Sequence, residues 1–185
     1  MRCLERLFRR AGLPLSMSEG HRPRPRMTFP LALAVGIEGQ REVMELELTD
    51  APSADDLQER LLPQTPSGLR IESVEVLPPG TSKARAVSAS YQIAVDSSRA
   101  AGMDERIHRL LSASSSLIRR PNRSTPIDLR AAILSLALRE GTLEMRLKAD
   151  STAGAGPRDV LTALGLEDLE HSGIHLTRTD VEIDS

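Results

Sequence analysis

The residues best equipped for chemistry lie together near the start of the chain, in Ser18-Glu19-Gly20-His21-Arg22-Pro23-Arg24-Pro25-Arg26-Met27-Thr28-Phe29. Pro23, Pro25 and Pro30 exclude helix there and push the residues before them towards extended geometry. Residues two apart on an extended segment share a side, so Arg22, Arg24 and Arg26 form a comb of guanidinium groups. Each guanidinium is a planar fork of donors suited to carboxylate or phosphate oxygens, which makes the comb a candidate anion- or partner-binding element. A solvated loop shaped by its prolines is the other reading of the same residues. His21, set among arginines, has the chemistry of a general acid or base for RNA cleavage, but no second His or carboxylate is tied to it by spacing.

Other groups are candidates of lower rank. Arg119, Arg120 and Arg123 surround Pro121 in a second basic proline segment and would extend the first surface if the two halves of the chain packed symmetrically. Asp128 and Arg130 are two apart on an expected strand, either as an intrastrand ion pair or as part of a site. Gly154-Ala155-Gly156-Pro157 precedes an expected helix and could turn backbone NH groups to an anion, although it lacks the fuller phosphate-binding patterns. His171 and His175 are four apart across a turn and a strand, a poor arrangement for a metal pair.

The elements that must position these residues follow from periodicity. Cys3, Leu4, Leu7, Phe8 and Ala11 recur at helical spacing, with Arg2, Arg6 and Arg9 on another face, and Gly12 and Pro14 end the helix. Phe29, Leu31, Leu33 and Val35, then Met44, Leu46 and Leu48, alternate as two strands joined by a turn at residues 38–40. Ser53 is the expected N-cap of a helix carrying Leu57, Leu61 and Leu62, and a strand is expected across residues 69–76 with a phase slip at Ser73. Beyond the break at 78–82, a strand is expected at 87–95 and a helix at 104–118. A hairpin of 127–138 with 143–149, a helix from Pro157 to a terminator at Gly165, and a strand at 174–183 complete the series.

The second half therefore reads strand, helix, strand, strand, helix, strand, and the first half reads as the same series without its opening strand. The expected fold is α+β: two ferredoxin-like (βαββαβ) units, the first missing its opening strand, spanning residues 1–77 and 85–185 with a linker at 78–84. One continuous α+β sheet built from the same elements is the alternative.

Composition narrows the function classes. A hydrophobic content of 39% in 185 residues can fill one core or two small ones. Aromatics are only 2%, so any nucleic acid would find few rings to stack on. Seven arginines against two glutamates give residues 1–26 a charge of +5 inside a chain of net charge −2. That asymmetry favours a local anionic partner over general coating of nucleic acid. Cys3 is the only cysteine, which excludes a disulfide framework and a thiolate cluster held by this chain alone. The first residues lack a signal-peptide core and no apolar run approaches a bilayer span, so a cytoplasmic location and no membrane contact are expected.

Ala11-Gly12-Leu13-Pro14, followed by Ser18-x-Gly20-x-x-Pro23-Arg24-Pro25-Arg26-x-x-Phe29 and Leu33-x-x-Gly36, resembles the radical SAM-linked protein family. Ile127-Asp128-Leu129-Arg130, with Pro157 further on, is similar to the family's C-terminal pattern. Members usually carry Gln, an aromatic residue and Asn where this chain has Glu19, His21 and Arg22, and Arg where it has Gly156. The resemblance implies an uncharacterised bacterial domain encoded beside, or fused to, a radical SAM protein. The iron-sulfur cluster and S-adenosylmethionine are then expected in that partner, with no cofactor or metal in this chain. It also implies a strand and a Ser-His-Leu-Asp-like turn ahead of the first helix, so the chain is expected to begin late. The late beginning is either a misplaced start or a real truncation, and for a misplaced start the reading frame upstream of Met1 is expected to encode the missing strand.

The resulting expectation is a non-catalytic accessory domain that partners a radical SAM protein and presents its substrate. Gly20, Arg22, Pro23, Arg24, Pro25 and Arg26 form the contact. The alternative is an RNA-binding module whose arginine-proline loops contact phosphates, an analogy of fold to the repeat-associated CRISPR RNA-binding proteins. A free-standing hydrolase resting on His21 is the third reading.

Overall fold

The computed structural model describes residues 2–50, 52–120, 125–149 and 154–184. Its elements run α1 (Arg2–Arg10), β1 (Met27–Thr28), β2 (Glu38–Gly39), β3 (Glu45–Leu46), α2 (Ala54–Leu61), β4 (Arg85–Ala94), α3 (Ser97–Ala100) and α4 (Met103–Ser112). They continue with β5 (Leu117–Ile118), β6 (Ile127–Asp128), α5 (Leu129–Ala132), β7 (Ile133–Arg139), β8 (Thr142–Lys148), α6 (Pro157–Leu164) and β9 (Thr177–Asp184). The architecture is mixed α+β, with three sheets and six α-helices among the described residues. The chain divides into one unit of residues Met1–Pro30 and Met44–Lys83, and a second of Leu31–Val43 and Ala84–Asp184.

In the first unit, α1 buries Leu7 and Phe8 against Ala11, Leu13, Leu57 and Leu61. Gly12, at φ +61°, ends the helix: its NH reaches the Arg9 carbonyl at 3.2 Å while the Leu13 NH reaches Phe8 at 3.1 Å. This is the Schellman arrangement that a left-handed glycine permits. The Arg60 guanidinium of α2 donates to the Ala11 and Gly12 carbonyls, so one helix caps the end of the other. Ser53 caps α2 as its sequence predicts, its Oγ accepting from the Asp56 NH at 3.1 Å. The β-structure of this unit is short: Met27 pairs with Leu46 and Thr28 with Glu45, antiparallel.

The second unit carries a five-stranded sheet ordered β2-β9-β4-β8-β7. Its neighbours are antiparallel except for β2, which joins β9 in parallel. Ala89, Tyr91 and Ile93 of β4 and Leu143, Met145 and Leu147 of β8 alternate inward because successive strand residues point to opposite faces. They pack with Ile107 and Leu110 of α4 and Val160, Leu161 and Leu164 of α6. Pro157 opens α6 and Gly165, at φ +70°, closes it, both as the sequence predicts.

Three expected elements are absent in the form predicted. Residues 29–35 alternate like a strand, yet from Leu31 onward they form a strap that belongs to the second unit, and Val35 is 94% exposed. The expected turn at 38–40 is itself a strand, β2. Glu38 NH donates to the Leu176 carbonyl at 3.0 Å and Gln40 NH to that of Arg178 at 2.9 Å. The cause is Arg178, only 1% exposed on β9, whose guanidinium donates to the carbonyls of Leu31 and Ala32 and bidentately to the Glu42 carboxylate. Residues 69–76 form no strand either. Ile71 and Val74 pack on the first unit's core while Leu69 and Val76 stay exposed, and β3 is paired on one edge only.

The strand expected from residue 127 is broken after β6. Asp128 accepts from the Arg130 NH at 3.0 Å and turns the chain into α5 before β7 begins. The helix expected to reach residue 118 stops at Ser112, and Leu117 and Ile118 pair with β6 instead.

The Arg178–Glu42 pair predicts an asymmetric mutational response. Glu42→Ala leaves a buried guanidinium without its carboxylate and should destabilise the protein by about 3–5 kcal/mol in urea unfolding. Faster amide exchange at Glu38 and Gln40 should accompany it. In Gly39→Ala the new methyl would meet the Glu42 side chain at 2.7 Å, so a smaller loss of the same kind is expected.

Candidate partner-binding site

The arginine-proline segment is a hairpin-like loop. Ser16 and Arg26 are joined by the Arg26 NH at 2.8 Å. Ser18 and Arg24 are joined twice, with the Ser18 NH donating to the Arg24 carbonyl at 2.8 Å and the Arg24 NH to Ser18 Oγ at 3.0 Å. Proline at 23 and 25 leaves the intervening NH of Arg24 free for Ser18, and Gly20, at φ +115°, makes the tip where a side chain would be strained.

The comb does not act as one row. Arg26 Nε donates to the Met17 carbonyl at 3.3 Å and Nη1 pairs with Glu47 at 3.5 Å, so this guanidinium is part of the loop's anchorage. Glu47 is also reached by Lys83 at 3.5 Å. Arg24 lines a concavity of about 470 Å³. It is lined by Arg2, Glu5 and Arg9 of α1 and by Pro23, Arg24 and Pro25 of the loop, with Leu15 and Met17 adding apolar surface. Positions 2, 5 and 9 share one face because three- and four-residue steps return to the same side of a helix. Among the described residues, the guanidinium groups of Arg2, Arg9, Arg22 and Arg24 have no hydrogen-bonding or ion-pair partner. Arg22, Gly20 and His21 are exposed at the loop tip.

The remaining candidates belong to the second unit, and their geometry is that of structural joints. Arg120 grips Asp159 bidentately, a hydrogen bond that holds the Arg120 pKa above its ordinary value. Asp159 also accepts from the Gly156 NH at 2.7 Å, so the backbone donor expected to meet an external anion is already occupied by a carboxylate of α6 itself. Arg119 is exposed, and Arg123 lies outside the described residues.

Asp128 and Arg130 are joined through the Arg130 backbone NH. Asp128 also accepts from the Ser116 NH at 2.9 Å, the leading cause of a carboxyl pKa below the usual range. Arg130 Nε donates to the Leu111 carbonyl at 2.8 Å and so caps α4. His175 Nδ1 lies 3.7 Å from Glu38, and among the described residues no group of three or more His, Cys, Asp or Glu side chains is placed to hold a metal ion. No helix among them is long and apolar enough to cross a membrane.

The Arg178–Glu42 joint, which sequence reasoning missed, is electrostatically strong. Burial acts to lower the Arg178 pKa, but hydrogen bonds to Glu42 and Tyr91 outweigh it and hold the value above normal. The two residues are 136 apart in sequence, and no local spacing links them. The joining of Arg2 and Arg9 with Arg24 left a partial signal, since positions 2 and 9 fall on one helical face.

These features define a two-unit α+β protein with an exposed basic and apolar site on its first unit. A family model described as "Uncharacterized protein conserved in bacteria (DUF2344)" matches residues 1–157, and the chain belongs to that family. No curated protein matches it.

Two tests separate anchorage from display. Arg26→Ala should lower thermal stability, by up to about 1 kcal/mol, because it frees the loop, whereas Arg24→Ala should leave the melting temperature unchanged. The carboxylates of Asp128, Glu170 and Glu182 all have depressed pKa values: backbone donation from Ser116 holds the first, Arg158 the second, and Ser88 with Arg146 the third. Their stabilisation is complete above the unfolded carboxyl value of about 4 and is lost as pH falls through the lower folded values. Acid titration of unfolding should therefore show stability falling below about pH 4, and Asp128→Asn should make that fall shallower.

Proposed function

We propose that this chain is a non-catalytic accessory domain for a radical SAM protein, which it contacts through the concavity between α1 and the arginine-proline loop. The observation that carries the contact is a set of three guanidinium groups, Arg2, Arg9 and Arg24, that line the hollow beside Leu15 and Met17 with no hydrogen-bonding or ion-pair partner among the described residues. Arginine and methionine around a partly apolar hollow are the composition of protein interfaces. The partner's identity is supported by the resemblance of Gly20, Pro23, Arg24, Pro25 and Arg26 to the radical SAM-linked pattern, and three of those five residues line the hollow. In this reading the cluster and S-adenosylmethionine belong to the partner, and presentation of substrate is the accessory role. The order β9-β4-β8-β7 within a βαββαβ series supports a ferredoxin-like reading of the second unit.

Affinity purification of the full chain at physiological salt should recover the radical SAM protein encoded beside it, and Arg9→Glu with Arg24→Glu should abolish the recovery. Absence of association with the unmodified chain overturns the reading. An RNA-binding role is the second reading, favoured by the unpaired guanidinium groups of Arg22 and Arg24 on an exposed loop. It requires affinity to fall steeply with salt and that slope to flatten when both arginines are replaced.

A further inference from the structure

The charges on the α1 wall are ordered. Arg2, Glu5 and Arg9 present plus, minus, plus along one helical face, and Arg24 adds a cation from the loop that lines the same hollow. The two outer cations are seven positions apart, so their origins lie about 10 Å apart along the helix axis. Glu5 lies between them on the helix, and Leu15 and Met17, the latter 43% exposed, line the same hollow. A ligand with uniform negative charge would set an anion against Glu5. A ligand with anions only at its ends would not.

We infer that the hollow binds an extended peptide segment bearing two carboxylates three residues apart with apolar residues between them. In polyproline II geometry residues three apart share a side and lie about 9 Å apart, which matches the spacing of Arg2 and Arg9. The intervening apolar side chains meet Leu15, Met17, Pro23 and Pro25, and Arg24 adds a third cation for one of the carboxylates. A nucleic-acid strand fits this pattern poorly, because it carries a phosphate at every residue and the hollow offers its bases no aromatic ring. The inference rests on the hollow being the partner contact proposed above and names the chemistry of the segment that enters it.

The test uses the full chain and a fluorescein-labelled peptide, Gly-Ser-Glu-Leu-Pro-Glu-Ser-Gly, read by fluorescence anisotropy at physiological salt. The controls replace both Glu by Gln, replace Leu-Pro by Ser-Gly, or substitute a ten-nucleotide oligouridine. The Glu-Leu-Pro-Glu peptide should bind at least about tenfold more tightly than each control. Arg9→Ala and Arg24→Ala should each weaken it by about tenfold while the circular dichroism spectrum is unchanged. A peptide with Glu in place of Leu should bind poorly to the unmodified chain and recover in Glu5→Gln, an outcome that a merely structural Glu5 would not produce. Equal binding of either peptide control, tighter binding of the oligouridine, or indifference to both arginine replacements overturns the inference. If the peptide fails while the radical SAM protein still co-purifies, this inference falls and the proposed function stands. Peptide binding without that co-purification has the opposite meaning.

Discussion

The second unit depends on a buried guanidinium. Arg178 sits on β9, one strand from the centre of the sheet, and besides Tyr91 it reaches two carbonyls and one carboxylate that belong to residues 31–43. Leaving a charge of that kind unpaired inside a protein is far costlier than leaving it in water, so the strap must lie where Arg178 can reach it. The β2 ladder, the donation from Arg158 to the Val35 carbonyl and the Arg41–Asp180 pair reinforce one placement of the strap. A sheet that would otherwise expose the edge of β9 gains a short parallel strand there, one of the ways proteins cover such edges.

The same strap explains the modest β-structure of the first unit. β1 and β3 pair across a loop whose middle residues belong to the second unit, and only the flanking residues remain for the first. What holds the first unit is therefore chiefly helical: two short amphipathic helices, a glycine terminator, and Arg60 bridging from one helix to the end of the other. Leu69 and Val76, which alternate as strand residues do, remain exposed because no neighbouring strand offers a ladder. β-propensity alone does not make a strand without a partner edge.

Within the first unit the chemistry is divided between holding and display. Arg26, Glu47 and Ser18 secure the arginine-proline loop, and the prolines set its shape, so that Arg24 lines the same hollow as Arg2 and Arg9. In the second unit, Arg120 is paired with Asp159, and Asp128, Arg130 and Asp159 bond to backbone groups and helix ends. Charged residues that looked alike as a sequence are thus of two kinds. The difference lies in whether a carboxylate or carbonyl stands within reach.

Local features were legible from the chain itself. The stripe of Leu7 and Phe8 with the glycine at 12, the Ser53 cap, the Pro157 start and Gly165 end of α6, and the alternating residues of β4 and β8 follow from periods and capping rules that act within a few residues. The arginine-proline loop was legible too, because proline restricts the backbone wherever it occurs. The destination of residues 31–43, the lack of a partner for 69–76, the turn at Asp128 and the separation of Arg26 from Arg24 were decided by the tertiary structure. Three of the four involve a group remote in sequence: Arg178 is 136 residues from Glu42, Ser116 is 12 from Asp128, and Glu47 meets Arg26 only after β1 and β3 have paired. Sequence spacing reports which side chains share a face. It does not report which distant donor will be buried beside them, and in this protein that burial selects among the conformations the local signals allow.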